Sequence, residues 1–171
     1  MSISRIKHHL SLIKPIPNNR PKAASVMLLL CNNPLEIVFT VRSQSLNNHR
    51  GQVSFPGGKQ DDGESLIETA VRETKEEIGI EDIEVLGRFY NVNSKAKDTY
   101  VSTIVGYKQQ VCIKDMILNP DEVSKAFLVP IKDLVCQRQF GIHTFYIKSH
   151  VIWGLTGYLT STFISDIYLK K

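Results

Sequence analysis

Between Gly58 and Ile80 the chain reads GKQDDGESLIETAVRETKEEIGI, and its second half is amphipathic at helical spacing. Leu66, Ile67, Ala70, Val71, Thr74 and Ile78 fall within an arc of about 140°, wide enough to bury one side of a helix against a core. Ser65 followed by Glu68 forms a capping box that predicts a helix start near Ser65, and Gly79 is a left-handed terminator. Beside the apolar stripe stand Glu73, Glu76 and Glu77. At about 100° per residue, Glu77 lies about 40° to one side of Glu73 and Glu76 about 60° to the other. Carboxylates on so narrow an arc repel: at ~6 Å and an effective dielectric of ~20, each pair costs roughly 3 kcal/mol. A solvated acidic face absorbs that repulsion in water. A hard divalent cation such as Mg²⁺ or Mn²⁺ exploits it, taking the oxygens as ligands.

The rest of the chain sets the frame for that helix. Its 171 residues fit one domain over residues 1–171 with a single core, and 42% hydrophobic with 22% charged residues is ordinary globular composition. A net charge of +4 helps attract a phosphorylated ligand but is too small for a nucleic-acid binder, and no basic stripe with interleaved aromatics appears. Cys31, Cys112 and Cys136 are odd in number and widely spaced, so they read as reduced thiols of a cytoplasmic protein, not a disulfide framework or zinc site. No segment approaches the ~20 apolar residues of a membrane span, and no leader-like apolar run opens the sequence.

Periodicity predicts a leading amphipathic helix over 2–13, carrying Ile3, Ile6, Leu10 and Ile13 as a packing arm or homodimer contact. A Pro/Asn-rich linker follows over 15–21. Strands are predicted at 24–30, 36–42, 83–90, 100–107, 123–129 and 145–147. A last helix runs from Gly154 or Leu155 to about Leu169, with Leu155, Tyr158, Leu159, Phe163 and Ile167 on one face. Strands on both sides of one helix, closed by another, suit an α/β fold with a mixed sheet between helices, though periodicity alone does not choose it.

Gly58, Glu64, Arg72, Glu73, Glu76, Glu77 and Gly79, with Thr74 and Ile80 at the aliphatic positions, match the pattern G-x5-E-x7-R-E-U-x-E-E-x-G-U. In these residues the chain resembles the Nudix hydrolase superfamily. The resemblance implies an α/β/α sandwich and hydrolysis of a nucleoside diphosphate linked to another group. It implies that Glu73, Glu76 and Glu77 ligate Mg²⁺ or Mn²⁺, with the Gly57 carbonyl completing the shell and Glu73 near the attacking water. Glu64 is then a water-mediated ligand, and Arg72 the ion-pair partner that orients the glutamates. Some members take a general base from beyond the box. Glu122, in the run Asn119-Pro120-Asp121-Glu122-Val123, is the candidate here, with a capping role for Asp121 or Glu122 the alternative.

Upstream, the chain reads Val38-Phe39-Thr40-Val41-Arg42-Ser43, then Asn47, Gly51 and Phe55-Pro56-Gly57-Gly58 at fixed spacings. This resembles the L-L-T-x-R-[SA]-x3-R-x3-G-x3-F-P-G-G pattern of coenzyme A pyrophosphatases in that superfamily. The resemblance implies that coenzyme A or acyl-coenzyme A is cut at its diphosphate into 3′,5′-ADP and 4′-phosphopantetheine, and that Arg42, Asn47, Arg50, Gly51 and Phe55 meet the substrate. Asn47 departs from the pattern, which has arginine there, and removes a bidentate cationic contact. Arg50 or His49 is placed to compensate. Other nucleoside diphosphates such as ADP-ribose or a dinucleoside polyphosphate, and a non-catalytic binding module, stay open alternatives.

Overall fold

The computed structural model describes residues 1–14, 17–18, 20–46, 48–94 and 98–170. Its main sheet is mixed. Strands β1 (Lys22–Cys31) and β6 (Thr99–Lys108) run parallel, while β2 (Glu36–Arg42), β5 (Glu84–Ser94) and β7 (Val123–Pro130) pair antiparallel with their neighbours, in the order β7-β2-β1-β6-β5. Residues 27–31 of β1 are buried on both faces, as a central strand covered on both sides requires. Met27 and Leu29 pack with Val38, Ile104 and helix α2 (Leu66–Ile78) on one face; Leu28 and Leu30 pack on the other with α1 (Ile3–Ser11) and α3 (Gly154–Phe163). Two helical layers around a mixed sheet make the α/β sandwich that the resemblance implies.

A local irregularity places the site. β1 and β2 share only the pairs Leu30–Ile37 and Cys31–Glu36, then diverge. The wedge between them is filled by two short strands, β3 (Val53–Ser54) against the end of β2 and β4 (Gly57–Lys59) against the start of β1. Gly57 sits opposite Val26 so closely that a Cβ there would lie 2.3 Å from the Ser25 carbonyl oxygen and 2.6 Å from Val26 Cα. Only glycine permits that approach, and it brings the Gly57-Gly58 backbone under α2.

Several predicted boundaries shift for identifiable reasons. The leading helix spans Ile3–Ser11, capped by Ser2, and buries Ile6 and Leu10 against β5 and the last helix. Its apolar face is thus used within the chain. β5 runs on to Ser94 because Asn91 and Asn93, poor strand formers, pair with Ser102 and Tyr100 of β6. The strand read at 145–147 is the end of β9 (Ile142–Ile147), which joins β8 (Gln137–Gln139) and β10 (His150–Ile152) in a small second sheet; β8 is too short and polar to announce itself. In the last helix Leu159, Phe163 and Ile167 are buried, but Leu155 and Tyr158 are 38% and 40% exposed. Gly157 takes the contact with β9 instead, since a Cβ there would fall 2.3 Å from the His143 carbonyl oxygen. Beyond Phe163 the helix widens into a π turn over Ile164–Tyr168. No helix among the described residues is long and apolar enough to cross a membrane.

Candidate metal and active site

Helix α2 is held at both ends by the residues its sequence provides. Ser65 Oγ accepts from Glu68 N–H, and Glu68 Oε2 accepts from Ser65 N–H at 2.7 Å, a reciprocal cap worth about 1 kcal/mol. Gly79, at φ 70°, closes the other end. Ala70, Thr74 and Ile78 are fully buried against the sheet. Thr74 turns its hydroxyl back onto the Ala70 carbonyl at 2.6 Å, which satisfies the one polar group in the stripe. Anchored this way, the helix is a rigid carrier for its carboxylates.

The structure gathers Glu73 and Glu77 of α2 with Glu122, which stands just before β7, so that one carboxylate oxygen from each lies within 4.8 Å of the others. At that spacing each pair repels by roughly 3 kcal/mol for an effective dielectric of ~20. Burial is the larger strain. It pushes the Glu77 carboxyl up to about 8, with Glu73 and Glu122 adding repulsion; Arg42 and a hydrogen bond from the Gly57 backbone pull the other way. Burial also raises Glu73, against the pull of Arg72. Glu77 is 3% exposed, and its Oε2 has no hydrogen-bond partner among the described residues. A buried, unpartnered anionic oxygen facing two further carboxylates is costly as a structural feature. It fits a hard divalent cation with oxygen ligands.

Glu76 is not part of this cluster. It is half exposed and bound at 3.0 Å to Arg72 Nη1, its i−4 neighbour, the favourable spacing for opposite charges on a helix. The side-by-side trio expected from the helical wheel is therefore a pair plus Glu122, with Glu76 on the solvent side. Arg72 is the hub of a second layer. It grips Glu64 through both Nε (2.7 Å) and Nη2 (3.1 Å), holds Glu73 at 3.0 Å, and donates to the Lys59 carbonyl. Glu64 also accepts from the buried Thr69 hydroxyl at 2.8 Å. These bonds, the Arg72 contact first, hold the Glu64 carboxyl down at about 2. The planar fork of arginine suits this bidentate role.

The loop after β2 folds back on itself: Gly51 N–H donates to the Arg42 carbonyl and Arg42 N–H to the Gln52 carbonyl. Gly51, at φ 64°, is the turn former of that loop. Arg42 sits at a bulge opposite Val123, near enough to lower Glu77, with its Nε buried and without a hydrogen-bond partner among the described residues. Arg50 is exposed and donates to the Leu46 carbonyl. Phe55 corrects the sequence reading: it is 3% exposed and stacked on Phe39 at 5.3 Å, so it belongs to the core, not to a surface that meets substrate. Its place in the F-P-G-G run of the resemblance was the cue, and the ring shapes the backbone ahead of Gly57 and Gly58 from within the core. Asn47 lies outside the described residues. The sequence reading missed Thr69, which holds Glu64, and the Lys59 carbonyl, which accepts from Arg72; no spacing rule marks either one.

Residues 21–146 match the NUDIX domain family, and the chain belongs to it. It is 35% identical over 143 residues to Nudix hydrolase 3 of Caenorhabditis elegans, covering 82% of this chain and 59% of that protein. It is 32% identical over 161 residues to the mitochondrial coenzyme A diphosphatase NUDT8 of Mus musculus, covering 83% of this chain and 76% of that protein. Among solved structures, a MutT/nudix family protein from Enterococcus faecalis superposes with a TM-score of 0.55 at 19% identity, over 90% of this chain and 58% of that one, a likeness of fold. The chain thus spans less than two thirds of the length of the worm relative.

Proposed function

We propose that this chain is a single catalytic unit that hydrolyses the diphosphate bond of coenzyme A or acyl-coenzyme A, giving 3′,5′-ADP and (acyl-)4′-phosphopantetheine. The observation that carries the reaction type is the buried cluster of Glu73, Glu77 and Glu122 with its unpartnered Glu77 oxygen. Glu73 and Glu77 would hold Mg²⁺ or Mn²⁺, with the Gly57 carbonyl and, once released from its pair with Arg72 on the solvent side, Glu76 as the further ligands. A bound divalent cation supplies charge neutralisation at the diphosphate and a lowered pKa for water. Arg72 and Glu64 keep Glu73 aimed. Glu122 accepts the proton of the attacking water as its oxygen adds to phosphorus and the P–O bond to the bridging oxygen breaks. Arg42, near enough to lower Glu77 and with an Nε that has no hydrogen-bond partner among the described residues, supplies positive charge for the phosphates.

The choice of substrate is supported by the spacing from Thr40 to Gly58 and by similarity to a relative named as a coenzyme A diphosphatase. Asn47 in place of arginine favours keeping ADP-ribose and dinucleoside polyphosphates as a second reading. Purified protein with Mg²⁺ or Mn²⁺, assayed on coenzyme A, acyl-coenzyme A, ADP-ribose and a dinucleoside tetraphosphate, separates them. Coenzyme A or its acyl form is expected to show the highest kcat/KM; equal or better turnover of another substrate rejects the assignment.

A further inference from the structure

Three successive carbonyls ahead of β7 are each taken by a donor from the turn that follows β2. Ser43 Oγ donates to the Pro120 carbonyl at 2.9 Å, Ser45 Oγ to Asp121 at 3.1 Å, and Ser43 N–H to Glu122 at 2.8 Å. The two hydroxyls stand 2.9 Å apart, and Ser43 is 7% exposed. Asn119 ties the same segment from the other side. Its N–H donates to the carbonyl of Glu77, its own carbonyl accepts from Glu122 and Val123 N–H, and its Oδ1 accepts from Asp121 N–H.

An irregular segment usually leaves such groups to water. Here its carbonyls and N–H groups are bonded to two elements of the site, the end of α2 and the turn after Arg42. Such saturation fixes the backbone from which the Glu122 side chain projects. Two of the donors are side-chain hydroxyls, so they can be deleted without changing the backbone.

We infer that Ser43 and Ser45 are positioning residues that hold Glu122 against Glu73 and Glu77; this rests on the proposed role of Glu122 in hydrolysis. Neither serine touches the cluster. Their hydroxyls act through the two carbonyls that precede Glu122, those of Pro120 and Asp121, and they tie the loop expected to meet substrate to the residue expected to take the proton. A carboxylate released to wander by about 1 Å costs on the order of 100-fold in rate.

The test is a mutant cycle measured with Mg²⁺ and coenzyme A, with thermal unfolding followed in parallel. Ser43→Ala combined with Ser45→Ala is expected to lower kcat by roughly 10- to 100-fold while KM stays within about twofold, and Ser43→Thr, which keeps the hydroxyl, to restore most of kcat. Adding Glu122→Gln to the double variant is expected to cost no more than Glu122→Gln alone, because all three act on one group. Ser45→Ala alone, at an exposed position, serves the same cycle if the double variant folds poorly. Losses that multiply, or a kcat per folded molecule equal to wild type with only the melting temperature lowered, overturn the inference and leave the role of Glu122 standing. A Glu122→Gln enzyme with wild-type kcat overturns both.

Discussion

Replacing Gly58 with alanine should separate activity from stability. A Cβ at Gly58 would lie 2.3 Å from Glu73 Oε1, 2.4 Å from its Cδ and 2.5 Å from Oε2. Carbon and oxygen settle at about 3.5 Å, so the Glu73 carboxylate must retreat by roughly 1 Å. It is the far end of a flexible side chain, and its retreat costs the fold little. It costs the site much: a displacement of that size in a reacting constellation is worth about 100-fold in rate, or about 2.7 kcal/mol of barrier. Gly57→Ala is the internal contrast, because its Cβ would strike the backbone of Ser25 and Val26, which cannot yield. Overpacking and backbone strain there cost about 3 kcal/mol or more, roughly 6–12 °C in melting temperature for a chain of this size. The assay is kcat on coenzyme A beside a thermal melt of each variant. Gly58→Ala should melt within a few degrees of wild type with kcat about two orders lower. Wild-type turnover in Gly58→Ala, or a melting loss equal to that of Gly57→Ala, would refute the placement of Glu73 beneath the β4 backbone.

Three further outcomes follow from the same geometry. Glu77 is raised in the folded state, to about 8, above its unfolded value of about 4.3; the native state therefore holds the extra proton, and the contribution of Glu77 to stability is full below pH ~4.3 and is lost as pH rises through 8. Metal-free protein should lose melting temperature from pH 5 to 8.5, Mg²⁺ should flatten that slope, and Glu77→Gln should abolish it while eliminating turnover; a flat metal-free profile counts against a buried Glu77. Arg72→Lys keeps the charge but loses the fork on Glu64 and the bonds to Glu73 and Glu76, and denaturant unfolding should show a loss of about 2 kcal/mol together with a fall in kcat. Asn47→Arg restores the cationic contact of the coenzyme A pattern and should lower KM for coenzyme A with kcat unchanged; an unchanged KM means that position does not read the substrate.

What the sequence could announce was local. The capping box at Ser65, the terminator at Gly79 and the buried stripe of α2 are consequences of 3.6-residue periodicity, and they appear where that periodicity puts them. Glu122 was reachable only through resemblance, because its approach to α2 depends on the antiparallel pairing of β7 with β2, a long-range contact with no sequence period. The withdrawal of Glu76 from the cluster was legible in principle, as an i,i+4 pair with Arg72, but the helical wheel gave no reason to prefer that pairing over a shared cation. Phe55 was misplaced because a motif position shows that a residue belongs to the loop, not whether its side chain turns toward substrate or into the core. The wedge between β1 and β2 arises from where hairpin pairing stops, which the Leu30 to Ile37 sequence does not encode.

The proposed reaction turns on a divalent cation held by Glu73 and Glu77 beside Glu122. Anomalous diffraction from crystals grown with Mn²⁺ tests it directly. A peak is expected between α2 and the start of β7, with oxygens of Glu73 and Glu77 at about 2.0–2.6 Å, the range of hard-cation coordination. A manganese site that leaves Glu77 unligated, or ordered density with no metal between these carboxylates at millimolar Mn²⁺, would contradict it.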